Sequence, residues 1–262
     1  MRRIALIAVA VGMLVAAGAA YAATQLNTYK ATLKFTSKAA GTAKKPAPMG
    51  FTQDIKASGT NGNRTAVLLN ITTTIYGLKA DGKGFPTCSV AQINAAHNDT
   101  VCPKKAAMAS GYITAVLGPS SNFSASAPGT AACDPALDVW NAGQGKLSFF
   151  FVDTPTHQCL GGALSTGSTP AWQATYKQKG KNLVVSVPIP KAVDFPLPGL
   201  AGSLESEHLV WKKTTTKVKG KSVAAIASTA CQGKKRPYST TLKATMPGHG
   251  TQTKTVKGTA AC

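Results

Sequence analysis

The sequence predicts an all-β protein: a single large antiparallel β-sandwich, Ig-like or jelly-roll-like, with one short helix in a disulfide-closed loop. Three observations carry this. Short apolar runs alternate with Thr, Asn and Lys at the two-residue period of half-buried strands, and clusters of Gly, Pro, Asn and Asp separate them. Charged residues make up 15% of the 262, too few for the Glu/Lys-rich faces of a helical bundle. Six cysteines occur without a Cys-x-x-Cys pair, a pattern of disulfides in an oxidising compartment. A hydrophobic content of 44% excludes wholesale disorder.

Taken in order, residues 1–22 read as a signal peptide. Arg2 and Arg3 precede the apolar run 4–20, and Ala20-Tyr21-Ala22 offers small residues where a signal peptidase reads. Cleavage after Ala22 leaves residues 23–262 as one secreted domain. No later run reaches spanning length, so no transmembrane anchor is expected after cleavage. Strands are then predicted at 26–37, 51–58 and 66–78, parted by the breaker segment 39–49 and the turn 59–63. Residues 89–98 form the one expected helix after the signal, with Ser89 as its N-cap and Val90, Ile93 and His97 on one face.

The β pattern resumes at 111–117, 122–127, 136–140 and 146–153, then at 171–178 and 182–189 around the hairpin Lys179-Gly180-Lys181. Segment 188–200 carries four prolines, so it is not a central strand. Residues 208–218, 221–231 and 238–246 are expected to form a meander that 251–262 closes. Nearest-neighbour pairing is the simplest disulfide framework: Cys88–Cys102, Cys133–Cys159 and Cys231–Cys262. The aromatic run 149–151, with Trp140, Trp172 and Trp211, is read as sandwich core rather than as a sugar-stacking or lipid groove. Four Asn-x-Ser/Thr sequons, at Asn63, Asn70, Asn98 and Asn122, matter only in a glycosylating secretory pathway.

The chain carries 29 basic and 9 acidic residues, a formal charge of +20, and outside the signal only Arg64 and Arg236 are not lysine. Arginine is the residue of bidentate phosphate and base-edge recognition, so sequence-specific nucleic-acid reading is excluded. The lysines are scattered along the chain. Solubility and protection of edge strands is the plainer reading. The functional reading is affinity for an anionic envelope polymer or an acidic polysaccharide.

Candidate chemistry is sparse. On a strand, Glu205 and Glu207 would share a face, with His208 on the other, as a carboxylate pair for glycoside hydrolysis or a cation site. The plainer reading is a polar strand start after Gly202. Asp153 and His157 put an acid and a base on one loop before Cys159, without a Gly-x-Ser-x-Gly elbow. No metal-ligand spacing and no cofactor motif occurs, and no catalytic residue is assigned.

Tyr76-Gly77-Leu78, Phe85-Pro86-Thr87-Cys88, Cys102-Pro103-Lys104-Lys105 and the strand from Gly111 resemble segments of uncharacterised exported, β-rich, disulfide-containing proteins of actinobacteria. That resemblance implies a fold and an export route but no activity. Three functional readings stand at this point. The first is a secreted, non-catalytic binding protein, extracellular or at the cell envelope. The second is an extracellular hydrolase or lyase of an acidic polysaccharide. The third is a carrier of an apolar ligand between the sheets, suggested by 149–151 and the 188–200 loop.

Overall fold

A computed structural model describes residues 25–38, 40–163 and 169–262; the predicted signal peptide lies outside them. A twelve-stranded antiparallel sheet dominates. Its path runs β1 (Asn27–Phe35), β3 (Phe51–Gly59), β12 (Leu200–Trp211), β6 (Ala107–Pro119), β8 (Ala136–Asn141) and β9 (Lys146–Val152). It continues through β10 (Trp172–Lys179), β11 (Asn182–Pro188), β4 (Val67–Tyr76), β16 (Lys235–Met246) and β17 (Gly250–Ala261), with β7 (Ala131–Ala132) beside β6.

The sheet folds over so that its two halves become the layers of the sandwich. Across the interior, Thr65, just before β4, donates its hydroxyl to the Leu204 carbonyl at 2.7 Å, and Ser203 donates to the Thr65 carbonyl at 2.7 Å. The two edge strands also meet. The Gln252 amide on β17 accepts from the Asn27 N–H at 2.9 Å and donates to the Asn27 carbonyl at 3.2 Å, standing in for a ladder rung on β1. An edge covered in this way is closed to pairing with other chains.

Alternation accounts for most strands. In β16, Arg236, Tyr238, Thr240, Leu242, Ala244 and Met246 point inward and the intervening residues outward. In β9 the alternation fails, since residues 147–150 are all buried. Both faces of β9 are covered there. Phe149 joins the main core, whereas Phe150 turns outward beneath α1 (Val90–Ala96) with Cys88, Ile93, Cys102 and Trp140. Helix α1 starts as the sequence requires, with a capping box in which the Ser89 hydroxyl accepts from the Gln92 N–H and the Gln92 side chain accepts from the Ser89 N–H. It ends at His97, whose φ of 54° is the left-handed conformation of a helix C-cap. The stapled excursion is thus a small outer layer on β8 and β9.

The three disulfides are Cys88–Cys102, Cys133–Cys159 and Cys231–Cys262, the pairs expected, at sequence separations of 14, 26 and 31. Loops of such size each stabilise the fold by about 3–4 kcal/mol in the chain-entropy treatment. The aromatic residues also lie in the core as expected. Trp211 stacks on Phe51 at 5.4 Å, and Trp172 packs on Phe149 and Phe151.

Several expected elements differ. Residues 122–127 are turns rather than a strand, because Asn122 and Ser124 hydrogen-bond the N–H groups two residues on. The strand expected to begin at His208 begins at Leu200, and β12 lies between β3 and β6 rather than in a terminal meander. The rest of that meander divides. Strands β13 (Thr215–Val218) and β14 (Lys221–Ala224) form a separate hairpin. Strand β15 (Ile226–Ser228) joins β2 (Ala47–Pro48) and β5 (Leu78–Ala80) in a small sheet. Within the 188–200 segment only the end residues Pro188 and Leu200 are in strands, and it carries the one-turn helix α2 (Lys191–Asp194).

Candidate functional site

Three places in the fold gather chemistry. The first is the end of the sandwich formed by the small sheet, the β13–β14 hairpin and the turns around them. Backbone contacts tie these segments together: the Asp81 N–H donates to Ala225, the Gly77 N–H to Lys181, the Thr229 N–H to Gly77 and the Cys262 N–H to Lys234. Lysines that are far apart in sequence therefore meet. Lys44, Lys45, Lys79 and Lys83 come from the first third of the chain, and Lys179 and Lys181 from the β10–β11 turn. Lys212 to Lys221 contribute the hairpin, and Lys234 and Lys235 the approach to β16. All are exposed. Asp81 lies among them, with its carboxylate accepting from the Lys83 N–H at 3.0 Å. Asp134, Asp153, Asp194 and Glu205 instead belong to the strand ends and loops at the opposite end. Thirteen of the 25 lysines, dispersed in sequence, thus belong to one end of the fold.

The second place is the outer face of β3, β12 and β6. There His208 Nδ1 meets Asp54 Oδ1 at 2.6 Å, the one ion pair within 4.0 Å among the described residues. Tyr112 makes ring contacts with His157 at 4.5 Å and His208 at 5.3 Å. The structure thus brings two predicted site residues, His157 and His208, to a common aromatic neighbour, Tyr112, that carries no signal in the sequence. The adjacent hydroxyls of Ser206 and Thr114 bond each other at 2.7 Å. This arrangement orients an imidazole, but among the described residues no nucleophile is hydrogen-bonded to it. Asp153 follows β9 at the edge of this region, ahead of the Thr154–His157 bridge.

Glu205 and Glu207 do not share a face, contrary to expectation. The β12–β6 register slips between Leu204 and Ser206, so Glu205 is the extra, exposed residue of a bulge while Glu207 turns inward opposite Ile113. Glu207 is buried and accepts from Gln53 Nε2 at 2.6 Å. Burial pushes its carboxyl up to about 7, opposed by the Gln53 bond and reinforced by Asp54.

Glu207 lines the third place, a cavity of about 100 Å³ between the layers. Its walls are largely apolar, with Ile71 and Leu137 from the strands, Phe149 and Phe151 from β9, Val187 from β11 and Ile189 just beyond it. Asp194 of α2 also lines it, and burial pushes that carboxyl up to about 8. Asp194 and the acid pair Asp99–Asp138 were not legible as site residues in the sequence. The only signal for Asp194 was its position in the proline-rich loop. Asp138, pushed up to about 6 by burial and by Asp99, helps fasten the α1 loop to the sheet, with Asp99 accepting from the Trp140 indole at 3.0 Å.

No protein-family model matches the chain, and no curated protein matches it. Among solved structures, it aligns with the crystal structure of ACE19, the collagen binding subdomain of the Enterococcus faecalis surface protein ACE. That alignment covers 89% of this chain and 96% of that one, at 5% identity and a TM-score of 0.27. So loose a superposition carries no argument about this chain. No helix of the described residues is long and apolar enough to cross a membrane.

Proposed function

We propose that the chain is a non-catalytic binding protein of an oxidising, extracytoplasmic compartment that docks through its lysine-rich end on an anionic envelope polymer or acidic polysaccharide. The observation that carries this reading is the convergence of exposed lysines from five separate segments on one end of the sandwich, with Asp134, Asp153 and Asp194 at the other. Lysine presents a mobile point charge rather than a bidentate fork, which suits a repeating polyanion more than a single phosphate or base. The disulfides support the compartment.

The test uses immobilised polyphosphate and polygalacturonate at two salt concentrations. Exposed charges are screened over about 8 Å at physiological ionic strength, so binding should weaken at least about tenfold from low to physiological salt. Lys217→Glu, Lys219→Glu and Lys221→Glu together should abolish it. Lys191→Glu, Lys243→Glu and Lys254→Glu change the net charge equally, away from that end, and should leave most of it. Equal loss in both triple variants would show that net charge alone drives association, and salt-independent binding would point to a shaped pocket.

A further inference from the structure

The bridge that closes the C-terminal strand lies against a buried cation without a counter-ion. We propose that Cys231–Cys262 is a site of thiol–disulfide exchange, opened by an external dithiol ahead of the other two bridges, with Arg236 holding the Cys262 thiolate that the reaction releases. Arg236 points inward from β16 at 1% exposure, with its guanidinium 4.6 Å from the centre of the Phe35 ring. Its Nη2 donates to the Ser228 hydroxyl at 2.6 Å and to the Ala230 carbonyl at 3.4 Å. The same nitrogen lies 3.2 Å from the Cys262 sulfur and 3.7 Å from the Cys231 sulfur. Nε and Nη1 are buried without an acceptor. Among the described residues the one ion pair joins Asp54 and His208, so no carboxylate within 4.0 Å neutralises the guanidinium.

A buried charge is costly unless an opposite charge meets it. Burial pushes the guanidinium down to about 10, still well above neutral pH, so the cation persists. A disulfide sulfur is a weak, uncharged acceptor, whereas a thiolate in its place is a full anion. Reduction therefore supplies what the oxidised fold lacks, and a bridge whose reduced form is stabilised is the easier to open. A neighbouring arginine also lowers the pKa of a thiol, which makes that sulfur the better leaving group. Access agrees with the electrostatics. Cys231 and Cys262 are both half-buried, whereas Cys88, Cys102 and Cys159 are buried.

In the exchange, a thiolate of the dithiol attacks the Cys231 sulfur. The S–S bond breaks with its electron pair passing to Cys262, whose thiolate stays against Arg236. The second thiol of the reagent loses its proton and attacks the reagent sulfur of the mixed disulfide, and Cys231 leaves and takes a proton from solvent. The dithiol is oxidised to its own disulfide and the bridge gains two electrons.

The test equilibrates the whole protein with mixtures of reduced and oxidised dithiothreitol, then quenches, alkylates and maps the peptides. Cys231–Cys262 should open at a reduced-to-oxidised ratio at least about tenfold below that needed by either other bridge. In Cys231→Ser, which leaves Cys262 unpaired, the rate of alkylation by iodoacetamide should rise with pH at a midpoint at least about one unit below the roughly 8.5 of a free cysteine. Arg236→Met should raise that midpoint and close the tenfold gap, and Arg236→Lys, which keeps a cation, should retain most of both. Bridges that open together, a midpoint at about 8.5 or above, or an Arg236→Met protein that keeps the gap and the low midpoint would each overturn the proposal. The first two measurements leave Arg236 in place, so they decide the matter even where its variants do not fold. No polyanion enters the assay, so this reading and the docking reading fail separately.

Discussion

Glu207→Gln tests whether a buried acid in β12 sets the pH dependence of stability. In the folded chain the carboxyl titrates at about 7, against 4.5 for a free glutamate. Between those values the folded state holds a proton that the unfolded state has released, so stability falls as pH rises. The contribution is fully present below 4.5 and is lost once pH passes about 7. At 1.36 kcal/mol per pH unit, the loss is about 3 kcal/mol. Glutamine has nearly the same shape, still accepts from Gln53 through its carbonyl oxygen, and cannot ionise. Urea unfolding at pH 5, 7 and 9 should give similar stabilities for the two proteins at pH 5. At pH 9 the variant should be the more stable by about 3 kcal/mol. Asp194 and Asp138 also favour the folded state at low pH, but they titrate in both proteins and cancel in the difference. Parallel pH profiles for the two proteins would refute the reasoning.

The C-terminal staple gives a second expectation. Cys262→Ser should cost about 2–5 kcal/mol and raise amide exchange along β17, because that strand's final attachment to residue 231 is lost while its pairing to β16 remains. Protection of β17 equal to that of the parent would show that the bridge constrains only the unfolded chain. A third expectation concerns Gly111, where a Cβ would lie 1.9 Å from the His208 carbonyl oxygen on the neighbouring strand. Gly111→Ala must push β6 from β12 and should lower stability by about 2 kcal/mol or more, with loss of the Tyr112–His208 contact in the NMR spectrum. A fully stable variant would mean that the strands separate at little cost.

How far the sequence discloses this fold depends on whether the partner that satisfies a residue is near or far. The capping box of α1 closes within three residues, and Ser89 and Gln92 are both visible in the chain. The disulfides are also legible, since each joins neighbours in cysteine order. Strand β12 is not. Its inward positions include Ser203 and Glu207, which no local rule would bury. They are tolerated because Thr65, Arg64 and Gln53 supply hydrogen bonds from sequence separations of 138, 139 and 154. Polar residues at core positions mislead a pattern based on alternation, and here they misplaced the start of a central strand by eight residues.

The same distinction governs the lysine-rich end. A surface patch requires no periodicity and no spacing, so lysines at positions 45, 79, 181, 217 and 234 read as scattered solubilising charge until the turns of the small sheet bring them together. Their value to the fold is slight, since exposed charges contribute little to stability. Like charges crowded on one end repel each other in addition, with Asp81 beside Lys83 and Asp138 near Lys212 as partial relief. Packing therefore does not account for the concentration of lysine. The proposed polyanionic partner would, because each lysine that neutralises an anionic group on such a polymer releases a counterion and relieves the repulsion of its neighbours.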